Sequence, residues 1–205
     1  MTDSPAATPY PYAYPTSHSR KHGPEGYLNY DSYRDWLRDE FAFRCVYCLF
    51  REQWGRQTAS WDLDHWVPQA IESDLELSYE NLLYACASCN SVKGDRRVPN
   101  PTNMDLSAAV EVDPNGVIRS KNKQGQILIK IMRLDNDDYT RFRAMIIRTV
   151  NILADQDRDV YRLWMGYPTD LPDLSKLRPT RNTRPDGVNN SFFALRARQE
   201  LEDVY

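Results

Sequence analysis

The sequence predicts an α+β protein: a small strand-and-helix core framed by two cysteine pairs, with an added β-hairpin and a long helix toward the C-terminal end. Three observations predict it. Cys45-x-x-Cys48 and Cys86-x-x-Cys89 bracket an insert spanning 49–85. Runs with strand character lie at the two ends of that insert and again between 109 and 131. Helical spacing of apolar residues marks 31–41 and the stretch after Asp135. A chain of 205 residues with 41% hydrophobic and 27% charged residues suits one compact domain with extensions better than two full ones.

Taken in order, residues 1–26 hold five prolines interleaved with tyrosines and small polar residues. Such a composition buries too little surface to offset ordering entropy, so a disordered or polyproline-like arm is expected, either a solvated tail or a Tyr/Pro peptide that docks on a partner. A core is expected over 27–100. It opens with an amphipathic helix from Asp31 to Phe41, in which Tyr33, Trp36, Leu37 and Phe41 share helical spacing behind an N-cap at Asp31. An extension follows over 101–167. Its first part, Ala109–Val112, a Pro114-Asn115-Gly116 turn and the run Ile127-Leu128-Ile129-Lys130-Ile131, reads as a small β-hairpin. Asp135–Asp138 then cap a long helix whose Tyr139, Phe142, Ile146, Val150 and Leu153 share a face, with Trp164 as its far limit. Residues 168–205 form a Pro/Arg-rich tail in which Ser191 caps a short terminal helix, 192–204.

Net charge of −3 and a pI near 5.7 exclude a generally basic nucleic-acid coat and leave room for local basic patches. No apolar run reaches the roughly 18 residues of a membrane span. The first residues lack the charged start and apolar stretch of a secretory signal, so the expected compartment is the cytoplasm. Disulfides are disfavoured there, whereas two C-x-x-C knuckles let four thiolates converge tetrahedrally on one zinc ion. Unrelated buried thiols or a redox pair are the other reading. No cysteine is left over.

The insert begins its ordered motifs with Trp61-Asp62-Leu63-Asp64-His65-Trp66-Val67-Pro68-Gln69 and ends with Asn81-Leu82-Leu83-Tyr84-Ala85-Cys86, which leads through Cys89-Asn90 to Lys93. Over residues 41–97 the sequence resembles the HNH endonuclease family, whose motif sets an Asp-His pair at a strand end, an Asn before a short apolar strand, and a final His or Asn on the helix after the second C-x-x-C. Asp62–Gln69 and Asn90-x-x-Lys93 are also similar to the HNH domain of RNA-guided DNA nucleases. The resemblance implies a ββα-metal core on a four-cysteine zinc knuckle (Cys45, Cys48, Cys86, Cys89) and metal-dependent hydrolysis of DNA that leaves 5′ phosphate and 3′ hydroxyl ends.

Phosphodiester hydrolysis needs an activated water, stabilisation of the extra charge at phosphorus and help for the departing oxygen. His65 is implied as general base, since a neutral imidazole can take the water's proton. Asp64 and Asn90 are implied as oxygen ligands of a catalytic Mg²⁺ or Mn²⁺, and an all-oxygen shell favours these hard ions. Asn81 is implied to orient the histidine through the backbone of its loop. Asp62 lies on the strand face of Asp64 and reads as a supporting or a solvated residue. Lys93 follows Asn90 on nearly the same helix face, where its ammonium meets a phosphate or solvent; Arg96 and Arg97 carry the same two readings. Trp61 and Trp66 read as packing.

Arg119, Lys121, Lys123, Lys130 and Arg133 stand between Asp113 and Asp135 with no acid among them. They read as a DNA-backbone contact, with Arg119, Lys121 and Lys123 the tentative phosphate binders, or as a solvated ribbon. Lys176, Arg178, Arg181 and Arg184 are equally open. Asp155-x-Asp157-x-Asp159 fails as a calcium loop, because Val160 and Gly166 stand where Gly and Glu are required, and it reads as an exposed face or a break of the long helix. Small bacterial proteins of the resembled type belong to restriction, anti-phage defence or mobile elements and act beside an ATPase or sensor subunit. DNA, such a subunit and a second copy of the chain are therefore the expected partners, with no membrane. The competing expectations are a zinc-stabilised nucleic-acid or protein adaptor with an inactive nuclease fold, and an RNA-directed nuclease.

Overall fold

The computed structural model describes residues 9–16, 18–55 and 60–205. In chain order the elements are β1 (Pro24–Glu25), α1 (Arg34–Glu40), α2 (Glu52–Gly55), β2 (Trp61–His65), β3 (Leu82–Cys86), α3 (Ala87–Lys93), α4 (Leu106–Ala109), β4 (Val110–Val112), β5 (Ile118–Ser120), α5 (Lys123–Met132), α6 (Asp137–Gln156), α7 (Arg158–Met165), β6 (Arg181–Asn182) and α8 (Phe192–Ala197). The strands form three antiparallel pairs, β1 with β6, β2 with β3 and β4 with β5. No helix among the described residues is long and apolar enough to cross a membrane.

At the centre lies the β2–β3 hairpin, paired from Trp61↔Cys86 to His65↔Leu82. Every residue of β3 is buried, because α1 and α3 both pack on it. The carboxyl end of α1 organises the periphery through two buried acids. Asp39 accepts from His22 Nε2 at 2.8 Å and from the Phe192 backbone N–H at 2.8 Å. Glu40 accepts from the N–H groups of Lys21 and His22 and from the Tyr79 hydroxyl. One helix end therefore anchors the segment before it, the terminal helix α8 and the loop before β3.

Residues 9–16 and 18–26 depart from the expected disordered arm, while residues 1–8 lie outside the described residues. Tyr12 and Tyr14 are buried, Tyr14 donates to Tyr47 O at 2.9 Å, and Tyr10 donates to Asp113 O at 2.9 Å. A tyrosine ring contributes a large apolar area while its hydroxyl reaches a backbone carbonyl, a pairing that averaged composition conceals. Arg20 adds a bond to Leu82 O at 2.7 Å on β3. The Pro/Arg-rich tail is likewise packed: β6 pairs with β1, and Arg184 donates to Glu80 and to His22 O.

His18 stacks on Phe41 at 4.3 Å, and burial, reinforced by nearby Arg20, Lys21 and Arg44, pushes its pKa down to about 3. Its imidazole therefore binds a proton less readily in the native state than in the unfolded chain, so acid favours unfolding. This contribution is complete above pH 6.5 and is lost as pH falls toward 3. Urea-unfolding midpoints measured across that range are expected to fall with pH, and to fall less steeply in His18→Phe.

The expected hairpin forms only in part. β4 and β5 close through Pro114-Asn115-Gly116, with Gly116 at φ +78° and its α-carbon against α6, where a Cβ would meet Thr140 O at 2.4 Å. Ile127–Ile131, expected as strand, instead lies inside α5. Asn122 caps that helix by accepting from Gly125 N–H, and Leu128, Ile129 and Met132 point inward. Gly125 lets α5 approach the junction of α4 and β4, since a Cβ there would meet Ala109 O at 2.0 Å. The three β-branched isoleucines favoured the strand reading, and tertiary packing on Leu128 and Met132 overrides it.

The long helix begins behind Asn136, whose side chain accepts from Tyr139 N–H. It breaks at Asp157, which both ends α6 and caps α7 by accepting from Val160 N–H. Asp155-x-Asp157-x-Asp159 is thus a helix break.

Candidate active site

The cysteine cluster begins at the end of α1. Ala42, Phe43 and Leu49 take φ values of 50°, 56° and 58°, bending the chain into a knuckle closed by Cys45 N–H on Phe50 O at 2.8 Å. Val46 N–H donates to Tyr84 O at 3.0 Å and sets the knuckle against β3. The second pair straddles a strand-to-helix junction: Cys86 ends β3 and precedes α3, while Cys89 lies in its first turn. All four sulfurs are buried and lie within 4.8 Å of one another. Cys48 and Cys86 Sγ are 3.8 Å apart. A tetrahedron with Zn–S bonds of about 2.3 Å has edges of about 3.8 Å, so both the donor set and its spacing fit zinc.

On β2 the alternation of side chains turns Asp62 and Asp64 toward α3. Two contacts link strand to helix. Asn90 Nδ2 donates to Asp62 Oδ2 at 3.0 Å, and Lys93 Nζ donates to Asp64 Oδ1 at 2.8 Å. The second oxygen of Asp64 accepts from the Tyr47 hydroxyl at 2.5 Å. Asp64 and Lys93 are 4% and 1% exposed, so this is an internal ion pair. Burial raises the Asp64 carboxyl above the ordinary carboxylate value, against the opposing pull of Lys93 and Tyr47. Lys93 also donates to His65 O at 2.7 Å. The expectation that Lys93 meets a phosphate is corrected: its helix face is turned into the strand, where it neutralises Asp64 and holds the backbone of the histidine.

His65 ends β2 half-buried. Its Nε2 lies 3.0 Å from Glu76 O, and since a carbonyl only accepts, that nitrogen carries the proton. In the neutral ring the lone pair then belongs to Nδ1. Tyr30 packs edge-on against the imidazole at 5.0 Å. Asn81 is buried and staples the loop between β2 and β3: its Oδ1 accepts from Val67 N–H at 2.8 Å, and its Nδ2 donates to Val67 O at 3.0 Å and Leu75 O at 3.3 Å. Leu75 precedes Glu76, so Asn81 fixes the stretch that supplies the histidine's acceptor. Asn81→Ala is expected to cost about 1–3 kcal/mol, because it strands buried backbone groups, with a matching loss in thermal or urea unfolding.

Asn90 is thus joined to Asp62, while Asp64, the expected co-ligand of Asn90, is engaged by Lys93 and Tyr47. Tyr47, inside the first C-x-x-C, carries no signal of this role in the sequence; Asp62 was marked by the strand period alone. Trp61 stacks between Tyr84 and Phe50 at 5.0 and 5.9 Å, and Trp66 donates to Val98 O, so both pack. Of the basic residues, Arg119 on β5 and Lys121 just after it lie within 3.4 and 3.5 Å of Asp113 and Glu111, which offset their charge. Lys123 opens α5, a helix that packs on α3.

A hairpin ending in Asp-His, a following helix that bears Asn, and a sulfur cluster at their junction are the parts of one nuclease class. The family model for HNH endonuclease matches residues 45–96, and this segment is an HNH endonuclease domain. Among characterised proteins, the chain is similar to the Septu protein PtuB of Bacillus thuringiensis, with 26% identity over 114 residues, 53% of this chain and 43% of that protein. The matched region thus spans less than half of that relative.

Proposed function

We propose that this chain is a metal-dependent endonuclease that hydrolyses DNA phosphodiester bonds in the bacterial cytoplasm as part of a defence, restriction or mobile-element system. The observation that carries the reading is the orientation of His65: its Nε2–H is committed to Glu76 O, which leaves Nδ1 as the basic nitrogen at the open end of β2. A neutral Nδ1 takes the proton of the attacking water as the P–O bond to the 3′ oxygen breaks, leaving 5′ phosphate and 3′ hydroxyl ends. Asn81 acts through the loop, holding the carbonyl that sets tautomer and ring direction.

Asp62, Asp64 and Asn90 are the residues that would hold Mg²⁺ or Mn²⁺. Hard carboxylate and amide oxygens suit such an ion, and a half-turn of the Asn90 amide presents Oδ1 in place of Nδ2. When bound, the ion supplies charge neutralisation at the phosphate and the departing oxygen. The cysteine cluster would hold structural Zn²⁺. A net charge of −3 weakens unaided DNA affinity and supports targeting by a partner, an ATPase or sensor subunit, or by a second copy of the chain.

The adaptor reading draws on one observation, the neutralisation of Asp64 by Lys93, which leaves that carboxylate without a free oxygen. Plasmid incubated with zinc-loaded protein separates the two. Nicking or linearisation that requires added Mg²⁺ or Mn²⁺ supports the nuclease; intact plasmid with either metal, alone and with partner subunits added, supports the adaptor.

A further inference from the structure

Away from the β2–α3 face, the described residues line a cleft of about 740 Å³ between the cysteine cluster, the far side of α3 and the start of α6. That volume lies within the roughly 300–1,000 Å³ of small-ligand sites. From α3 come Ser88 and Val92, each two residues from Asn90 and so about 200° around the helix from it. Four aromatic rings stand in its walls: Phe50 and Phe142 meet at 5.7 Å, and Tyr139 and Tyr12 join them in the lining.

Two independent features show what the cleft would take. The first is uncompensated positive charge. Arg133, exposed at the left-handed end of α5, has neither an ion pair nor a side-chain hydrogen bond among the described residues. Arg143, 3% exposed, bonds the carbonyls of Gly116 and Leu134 and the Thr140 hydroxyl, and no carboxylate among the described residues pairs with it. Asp138, the one carboxylate among the described lining residues, pairs with Arg141 at 2.5 Å. The second feature is Tyr12. The residue is 2% exposed and its hydroxyl has no hydrogen-bond partner among the described residues. Burial pushes that hydroxyl's pKa up, so it stays a donor. An unpaired buried donor costs free energy that a ligand acceptor recovers.

We propose that this cleft is a nucleotide-binding site. The base stacks among Phe50, Tyr139 and Phe142, the phosphate meets Arg133, and an acceptor atom of the ligand takes the Tyr12 hydroxyl. The nucleotide is either free or an unstacked member of a single strand, the two sources sharing this chemistry. Because α3 bears Asn90 on its other face, an occupant would contact the same helix as the proposed active site. The inference does not rest on the nuclease reading, and either can fail alone.

The test is calorimetric titration of AMP, and separately of single-stranded oligo(dA), into the zinc-loaded full chain without added Mg²⁺ or Mn²⁺. One saturable site per chain is expected, weakened about tenfold or more by Arg133→Glu, a loss typical of one charge-assisted hydrogen bond. Ser88→Trp, which fills the cleft from an exposed position, should abolish it, and His65→Ala should leave it unchanged. The same pattern with oligo(dA) alone would assign the site to a strand nucleotide. Absence of binding by both probes, binding that survives both cleft variants, or binding lost in His65→Ala would overturn the proposal. Arg133 is exposed, so its variant reports binding without a folding defect.

Discussion

Cys86→Ser is expected to unfold the nuclease domain. Cys86 is the point where β3 becomes α3, and its sulfur faces three others, all buried. Without a central cation, four crowded thiols hold the first knuckle, the hairpin and α3 together only weakly. Structural zinc contributes on the order of 10–16 kcal/mol in small zinc domains, whereas whole domains are stable by about 5–15 kcal/mol. Losing one of four ligands removes enough of that energy to remove the fold. Zinc content and thermal unfolding of the purified variant check this: the metal should be lost and the cooperative transition with it. A zinc-free variant that melts like wild type would show that the sulfurs merely pack.

Lys93→Met is expected to cost about 3–5 kcal/mol, the usual penalty for leaving one member of a buried ion pair alone. Asp64 would keep its bond from Tyr47 but lose the cation that pairs with it, and His65 O would lose a donor. Methionine nearly matches the lysine stem in volume, so the loss reports charge and hydrogen bonding rather than a cavity. Urea unfolding measures it, and the double variant Lys93→Met/Asp64→Asn should recover much of the loss because the stranded charge is gone. A single variant within about 0.5 kcal/mol of wild type would mean that Lys93 turns outward in solution and is free to meet phosphate.

What could be read in advance was the chemistry written as residue types at fixed spacing. Four thiols in two C-x-x-C pairs, Asp64-His65 at a strand end and Asn81 before an apolar strand each state their own local geometry. The direction of a face was not readable. The period of two set Asp62 beside Asp64, and helical spacing set Asn90 beside Lys93, but neither pattern says that the two faces look at each other. Two strand residues advance about 6.8 Å and three helical residues about 4.5 Å, close enough for the pairs to meet as rungs. Residues 9–16 and 18–26 pack against what their composition suggests, because their tyrosines act singly, Tyr10 and Tyr14 each through a ring and a backbone carbonyl and Tyr12 through its buried ring, with no periodicity to detect. Ile127–Ile131 is helical against its β-branched composition because of the Asn122 cap and of Gly125, whose role becomes visible only with Ala109 against it.

In the proposed reaction His65 is the base that activates water, and the most direct measurement is the plasmid-cleavage rate of His65→Ala beside wild type. Both proteins should be prepared identically, with equal zinc content and matching unfolding transitions, and supplied with Mg²⁺ or Mn²⁺. Removal of a general base is expected to slow cleavage by about 10²–10⁴-fold while leaving the fold intact. A folded, zinc-loaded His65→Ala that cleaves at the wild-type rate would contradict that role.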